Sequence, residues 1–257
     1  MKGTTSDGTA ASRPYFKNLS RRDYVVKASE IIAAEGVEAI SIRRLSREMG
    51  CSTTTMYRHF RNLDELLFYA ELSKLNTYIE NLQRSSAGWQ SIWDMHFSIW
   101  EEYAKQAFQR PEAFDLLFFR NIGTELGDAL KEYYEMFPEA IVDVHPVIKH
   151  MLELPGYYER DYSILQKMID LGLMSEPTAR KINHIECNLY LGYFKSVMNA
   201  RLPEEGISGV VKDFLSEIRE IISMYLRSDP VWQEHFGGQP PEDIFAPNDR
   251  NRIPVSA

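Results

Sequence analysis

Cysteine is scarce in this chain: Cys51 and Cys187 are the only two among 257 residues. Two thiols so far apart in sequence make no disulfide framework, and a reducing compartment is the simpler expectation. No stretch approaches the roughly 18 consecutive apolar residues of a membrane span. The opening MKGTTSDGTAASRP lacks the apolar centre of a signal peptide, so a cytoplasmic protein with no membrane partner is expected. Phosphate-binding glycine loops, HExxH metal motifs and nucleophile elbows are missing too. Proline is absent between Pro14 and Pro111, which permits long uninterrupted helices. Positive charge is in deficit, with 29 Lys and Arg against 37 Asp and Glu and a net charge of -8.

That deficit is unevenly placed. Residues 1–68 carry 11 Lys or Arg against 8 Asp or Glu, a local charge of +3. The remaining 189 residues carry 18 against 29, or -11. A mildly basic head on a strongly acidic body fits a small polyanion-binding module joined to a domain that stays off the polyanion. Composition is otherwise that of a globular protein, 44% apolar and 26% charged.

The head contains three short helical patterns. Ser20-Arg21-Arg22-Asp23 has the form of a capping box, and Tyr24, Ala28, Ile31 and Ile32 then share one helical stripe that stops at Gly36. After Val37–Ile40, read as extended, Ser41 can cap a second helix with Ile42, Leu45 and Met49 inward and Arg43, Arg44 and Arg47 largely outward. Gly50-Cys51-Ser52 makes a turn, and a third helix follows over Ser52–Phe60. Two short helices joined by a tight glycine turn fit a helix-turn-helix, although a generic three-helix core with polar faces has the same pattern. Thr53, Thr54, Thr55, Tyr57, Arg58 and His59 supply hydroxyl and cationic groups suited to phosphates and base edges. Met56 and Phe60, four apart, suit the core. Asn62 with Glu65 reads as the cap of a long fourth helix.

The block from Arg21 to Leu67 resembles the DNA-binding domain of the TetR family of bacterial transcription regulators. The likeness rests on the Ala28–Gly36 segment, Ile42 with Leu45, the Gly50-Cys51-Ser52 turn, and above all Met56-Tyr57-Arg58-His59-Phe60. It covers about 47 residues, under a fifth of the chain. The resemblance implies that Tyr57 and His59 contact operator phosphates and that Ser52, Thr53, Thr54 and Arg58 face the major groove, with Thr55 near the backbone. One position departs from the family pattern. Leu63 stands where a phosphate-contacting lysine is common, so affinity is expected to lean on Arg43, Arg44, Arg47 and Arg61, with Arg13 and Lys17 of the N-terminal arm.

Beyond residue 68 the pattern is helical, over 63–84, 88–108, 111–121, 125–136, 146–153, 157–172, 176–201 and 207–226, with breaks at glycine and proline. The expected fold is all-α: a flexible arm (1–17), a helix-turn-helix domain (18–68), a larger helical domain for ligand binding and dimerisation (69–227), and an irregular tail (228–257). Ile182, Ile185, Leu189, Gly192, Tyr193 and Val197 line one face of the 176–201 helix. Val210, Phe214, Ile218, Ile221, Ile222 and Tyr225 line the 207–226 helix. Such faces suit burial within one chain or sharing between two. The resemblance implies the second, a homodimer in which two recognition helices read a pseudo-palindromic double-stranded DNA operator.

The resemblance also implies a pocket for an unknown small-molecule effector in the body. Trp93, His96, Phe97, Trp100, Phe118, Tyr158, His184 and Cys187 are its candidate lining, apolar walls with a few polar handles. His184 and Cys187, three apart, could face one metal with His150 as a third ligand. Such a site is poor, and neither metal nor other cofactor is expected. Glu101, Glu102 and Asp161 show no paired spacing for acid–base chemistry, so no enzyme is expected. The functional expectation is a ligand-responsive regulator of the repressing kind, nucleoid-associated when operator-bound. The alternative is a protein–protein adaptor that keeps the fold without tight DNA binding.

Overall fold

The capping box at Ser20 forms: its Oγ accepts from Asp23 N at 3.3 Å, while Ser20 N donates to the Asp23 carboxylate at 2.7 Å. It starts α1 (Arg21–Glu35), which ends at Gly36 in a positive-φ conformation. The structure is a computed structural model that describes residues 19–119, 126–141, 143–200, 202–246 and 251–252. Arg13, Lys17 and the rest of the expected arm lie outside the described residues. The chain divides into two units, Met1–Ala70 and Glu71–Ala257.

In the first unit, Ile40 is extended as expected but residues 37–39 are not. Val37–Ala39 form a single 3-10 turn, closed by Ala39 N to Gly36 O and Ile40 N to Val37 O, both 3.2 Å. Two further helices follow, α2 (Ile42–Glu48) and α3 (Thr53–Met56), and then α4 (Leu63–Ser86) begins. Tyr24, Ala28, Ile31, Leu45, Met56, Phe60 and Leu66 form the buried centre. Phe60 meets Tyr24 and Tyr69 edge to face, each at a centroid distance of 6.2 Å. Arg21 lies over the rings of Phe60 and Tyr69 at 4.7 and 4.4 Å, and its Nη2 reaches Glu65 Oε1 at 3.0 Å. Glu65 also accepts from Arg61 N at 2.6 Å, and Asn62 Oδ1 accepts from Glu65 N at 2.8 Å. This cap and clamp fix the entry to α4.

The second unit is built from α5 (Ile92–Gln109), α6 (Pro111–Phe118), α7 (Leu126–Met136), α8 (Pro146–Glu153), α9 (Tyr157–Asp170), α10 (Glu176–Ala200), α11 (Glu204–Leu226) and α12 (Pro230–Phe236). The fold is all-α, with helices packed on helices. Helix α10 packs on α9 and α11, and α5 lies against α10 and α11. Trp100, Tyr103, Phe108, Tyr190 and Phe214 form a continuous aromatic cluster between them, with Tyr103–Tyr190 at 5.0 Å and Trp100–Phe214 at 5.5 Å. Offset and edge contacts of this kind add to plain area burial.

Several helix limits in the second unit differ from the sequence pattern, three of them by more than two residues. Helix α5 begins at Ile92, not 88, because Ser91 and Asp94 form a second capping box. The segment expected over 111–121 ends at Phe118, and 120–125 lie outside the described residues. Helix α11 starts at Glu204, a turn earlier than expected, directly behind Pro203.

The tail is not irregular throughout. Asp229 caps α12 by accepting from Val231 N and Trp232 N at 2.9 and 3.1 Å, and Trp232 is fully buried on Phe236 at 4.3 Å. Farther on, Phe245 packs on Trp93 and Phe97 of α5 at 5.0 and 5.4 Å. Ile92 N donates to Asn251 O at 2.9 Å. Asp229 and the turns at Pro240 and Pro241 supply local partners for backbone donors of this segment, among them Val231, Trp232, Asp243, Ile244 and Phe245.

Candidate nucleic-acid interface and the buried cluster of the second unit

The turn between α2 and α3 is set by Gly50 at φ +66°, with Cys51 N donating to Ser46 O at 2.9 Å. An L side chain at Gly50 would be strained there. Ser52 caps α3, accepting from Thr55 N at 3.2 Å, and its hydroxyl meets Thr55 Oγ1 at 2.9 Å. Helix α3 stops at Met56 and continues to His59 only as a tight turn, shorter than the nine residues expected. Met56 and Phe60 anchor it from beneath, each at most 1% exposed.

The polar residues expected at DNA separate into groups. Thr53, Thr54 and Arg58 are exposed, as is Tyr57, whose ring has 52% of its surface open. Thr55 and His59 are half-buried, and the imidazole lies 5.3 Å from the Tyr24 ring. Arg43 and Arg47 are exposed on α2 with no ion pair among the described residues. Arg44 differs: it holds Glu35 through two nitrogens, Glu48 Oε1 at 2.8 Å and Ala39 O at 3.1 Å. That network stitches α1 to α2 and leaves its guanidinium little capacity for phosphate. Sequence spacing places Arg44 beside Arg43 but says nothing of Glu35, nine residues earlier.

Among the described residues, no one cavity is lined by all eight residues expected at an effector pocket. Trp93, His96, Phe97, Trp100 and Cys187 are buried and Phe118 is half-buried. Tyr158 and His184 are exposed instead, because their positions on α9 and α10 turn away from the packed faces. The exposed His184 therefore does not share a ligand position with the buried Cys187. A cavity of about 30 Å³ holds Trp100 with Tyr78, Tyr103, Tyr157, Arg160 and Asp161. A wider groove of about 740 Å³ runs along α7 and α8 past Lys131, Tyr134, Lys149 and Leu152, and none of the eight lines it.

Sequence spacing missed a buried ionisable cluster. His96 Nε2 lies 3.1 Å from Glu186 Oε1, and His96 Nδ1 lies 3.8 Å from Asp161 Oδ1. Trp100 Nε1 donates to Asp161 Oδ1 at 2.9 Å, and Asn183 Nδ2 donates to Asp161 Oδ2 at 2.8 Å. Burial, reinforced by the charge of Glu186, pushes the Asp161 carboxyl well above the ordinary carboxylate range. Burial raises Glu186 likewise and depresses the His96 imidazole. One sequence signal was available: Glu186 falls four residues from both Ile182 and Tyr190, on an inward stripe where a charge is costly.

Comparison with known proteins finds a likeness in the first unit. Residues 25–70 match the family model "Bacterial regulatory proteins, tetR family". Residues 25–70 are thus similar to the domain that this family model describes. An HTH-type transcriptional regulator of Staphylococcus aureus (strain bovine RF122 / ET3-1) is 34% identical over 68 residues, covering 26% of this chain and 37% of that protein. A second, from strain USA300, is 29% identical over the same share of each. The chain thus matches little more than a third of these relatives' length. Among solved structures, a protein of unknown function from Rhodococcus sp. RHA1 aligns with 80% of this chain and 98% of its own, at 17% identity and TM-score 0.48. A TetR/AcrR-family transcriptional regulator from Thermobifida fusca covers 76% and 96%, at 15% identity and TM-score 0.45.

Proposed function

We propose that the protein is a ligand-responsive transcriptional regulator that binds a pseudo-palindromic DNA operator as a homodimer and represses by occupying it. The observation that carries this reading is the α2–turn–α3 unit, in a TetR-family domain, with Thr53, Thr54, Tyr57 and Arg58 exposed on one short segment. Thr53, Thr54 and Arg58 read base edges, with Ser52 beside them at the cap. Tyr57 and His59 hold phosphates, with Thr55, Arg43 and Arg47 in support. Arg44 acts mainly by bracing α2 against α1.

The dimer forms through α10 and α11. Ile182, Val197, Phe214, Ile218 and Ile222 are buried within the chain itself, which leaves Ile185, Leu189, Gly192, Tyr193, Val210, Ile221 and Tyr225 for a partner. Effector binding in the second unit acts through α4, the helix whose residues belong to both units, by favouring a dimer state that does not fit the operator. No helix among the described residues is long and apolar enough to cross a membrane.

A salt titration of DNA binding by the full chain tests this. Arg43, Arg47 and Arg58 of the α2–α3 segment, which have no ion pair among the described residues, give when doubled in a dimer a slope of log affinity against log salt of about -5. Operator selectivity with a steep slope supports the regulator. Absence of both at low salt sinks it in favour of an adaptor.

A further inference from the structure

We propose that His96, Asp161 and Glu186 form a binding site for one divalent transition-metal ion in the core of the second unit. One donor atom from each residue lies within 4.8 Å of the others, and the three come from α5, α9 and α10. Bonds of about 2.0–2.2 Å around one ion bring neighbouring donors to about 3 Å, so side-chain rotations of modest size close the site.

Three features point to a cation. Glu186 is fully buried and its Oε2 has no hydrogen-bond partner. A carboxyl oxygen left so in a protein interior is costly unless a donor or a positive charge meets it. No lysine or arginine pairs with Asp161 or Glu186 among the described residues, and the His96 imidazole is their one basic neighbour there. Asp161, finally, is held the way metal-binding carboxylates are held. Trp100 Nε1 and Asn183 Nδ2 each donate to one of its oxygens, fixing the plane while a lone pair on each stays available. The cavity of about 30 Å³ that reaches Asp161 has room for a water to complete the coordination.

The donor set narrows the ion. One imidazole nitrogen with two carboxylates, and no thiolate, favours Zn²⁺, Mn²⁺, Fe²⁺ or Co²⁺ over Cu⁺, and the imidazole disfavours Mg²⁺ and Ca²⁺. The site does not rest on the regulatory reading, since its test needs no DNA.

The test uses the full-length protein stripped with a chelator and titrated with Zn²⁺, Mn²⁺ or Co²⁺ by calorimetry, with thermal melting in parallel. One ion per chain is expected, with a higher melting temperature in its presence. Glu186→Gln should weaken binding by about 100-fold or more. The same change should leave the metal-free melting temperature equal or higher, because a buried amide replaces a buried carboxyl. His184→Ala, at an exposed histidine, should change neither. The Co²⁺ form of the unmodified protein gives a second reading: nitrogen and oxygen ligands yield no thiolate charge-transfer band. Failure to bind any of the three ions, binding undiminished by Glu186→Gln, loss of the ion in His184→Ala, or a thiolate band would each overturn the proposal.

Discussion

Arg44 grips Glu35 with two nitrogens, Nη2 to Oε1 at 2.5 Å and Nη1 to Oε2 at 2.9 Å. The pair joins α2 to the end of α1 and is extended by Glu48, so a residue that reads as a phosphate contact is committed to the fold. The hydrogen bond from Arg44 is the main reason that the Glu35 and Glu48 carboxyls sit below their ordinary range.

Arg44→Ala is therefore expected to lower the melting temperature while leaving the salt slope of DNA binding nearly unchanged. Arg43→Ala and Arg47→Ala should do the reverse, each reducing the slope by about 1 for every phosphate that the arginine neutralises. Melting curves and salt titrations of the three variants check this, and a slope change confined to Arg44→Ala would contradict it.

Tyr57 stands 52% exposed at the end of α3, beside a threonine pair and Arg58. Tyr57→Ala should weaken binding to all DNA sequences by similar factors. Thr53→Ala or Arg58→Ala should instead flatten the preference among operators, by about 1–3 kcal/mol at the position each reads. Affinities against a set of single-base operator variants distinguish these, and uniform losses from all three would remove the assignment.

Apart from its chain neighbours and the adjacent backbone of α10, no atom among the described residues lies within 4 Å of where a Cβ on Gly192 would stand. In an isolated chain Gly192→Leu should stabilise α10, since glycine in a helix interior costs about 1 kcal/mol. At a dimer interface the same leucine collides with the partner helix. Sedimentation is expected to show a shift toward monomer at unchanged or higher monomer stability, and an unaltered dimer would place the interface elsewhere.

Asp229 ties the tail to the rest of the second unit. It caps α12, and its Oδ2 accepts from Ser175 Oγ at 2.5 Å and from Ser175 N at 3.1 Å. Burial alone would raise its pKa, but the donors of Ser175, Thr178 and Trp232 outweigh burial and hold it below the ordinary value. A depressed carboxyl stabilises the fold fully above its unfolded pKa, and that stability is lost as pH falls through the folded one. Asp229→Ala should cost about 1–2 kcal/mol at neutral pH. The difference from the unmodified protein should shrink toward about pH 3, which urea unfolding at the two pH values measures. A difference that grows on acidification would reverse the sign and refute the account.

Much of the first unit was legible because its information is local. Capping residues act three positions away, Gly50 sets its own turn, and the Met56–Phe60 spacing states which side of α3 faces inward. Helices α8 and α10 were located to within a residue because Pro146 and Glu176 begin them and short breaks end them. The effector-pocket lining was not legible in the same way. An aromatic at helical spacing is inward on one helix, but whether it meets a cavity depends on what the opposite helix brings. Tyr158 and His184 face outward for that reason, while Tyr78, Tyr103 and Arg160 converge on the cavity with Trp100.

The sequence by itself determined the helical architecture, the basic head, the turn that presents Thr53 and Arg58, and the resemblance of the first unit to the TetR-family DNA-binding domain. All of these depend on residues within a few positions of each other, where hydrogen-bond reach and helical period leave few alternatives. Only the tertiary structure decided that Arg44 belongs to Glu35, that Phe245 covers Trp93, and that His96, Asp161 and Glu186 meet in the core. The last three residues lie 65 and 25 positions apart in sequence. Their meeting is fixed by how α5, α9 and α10 pack, a matter of side-chain volume summed over whole helices that no local pattern encodes.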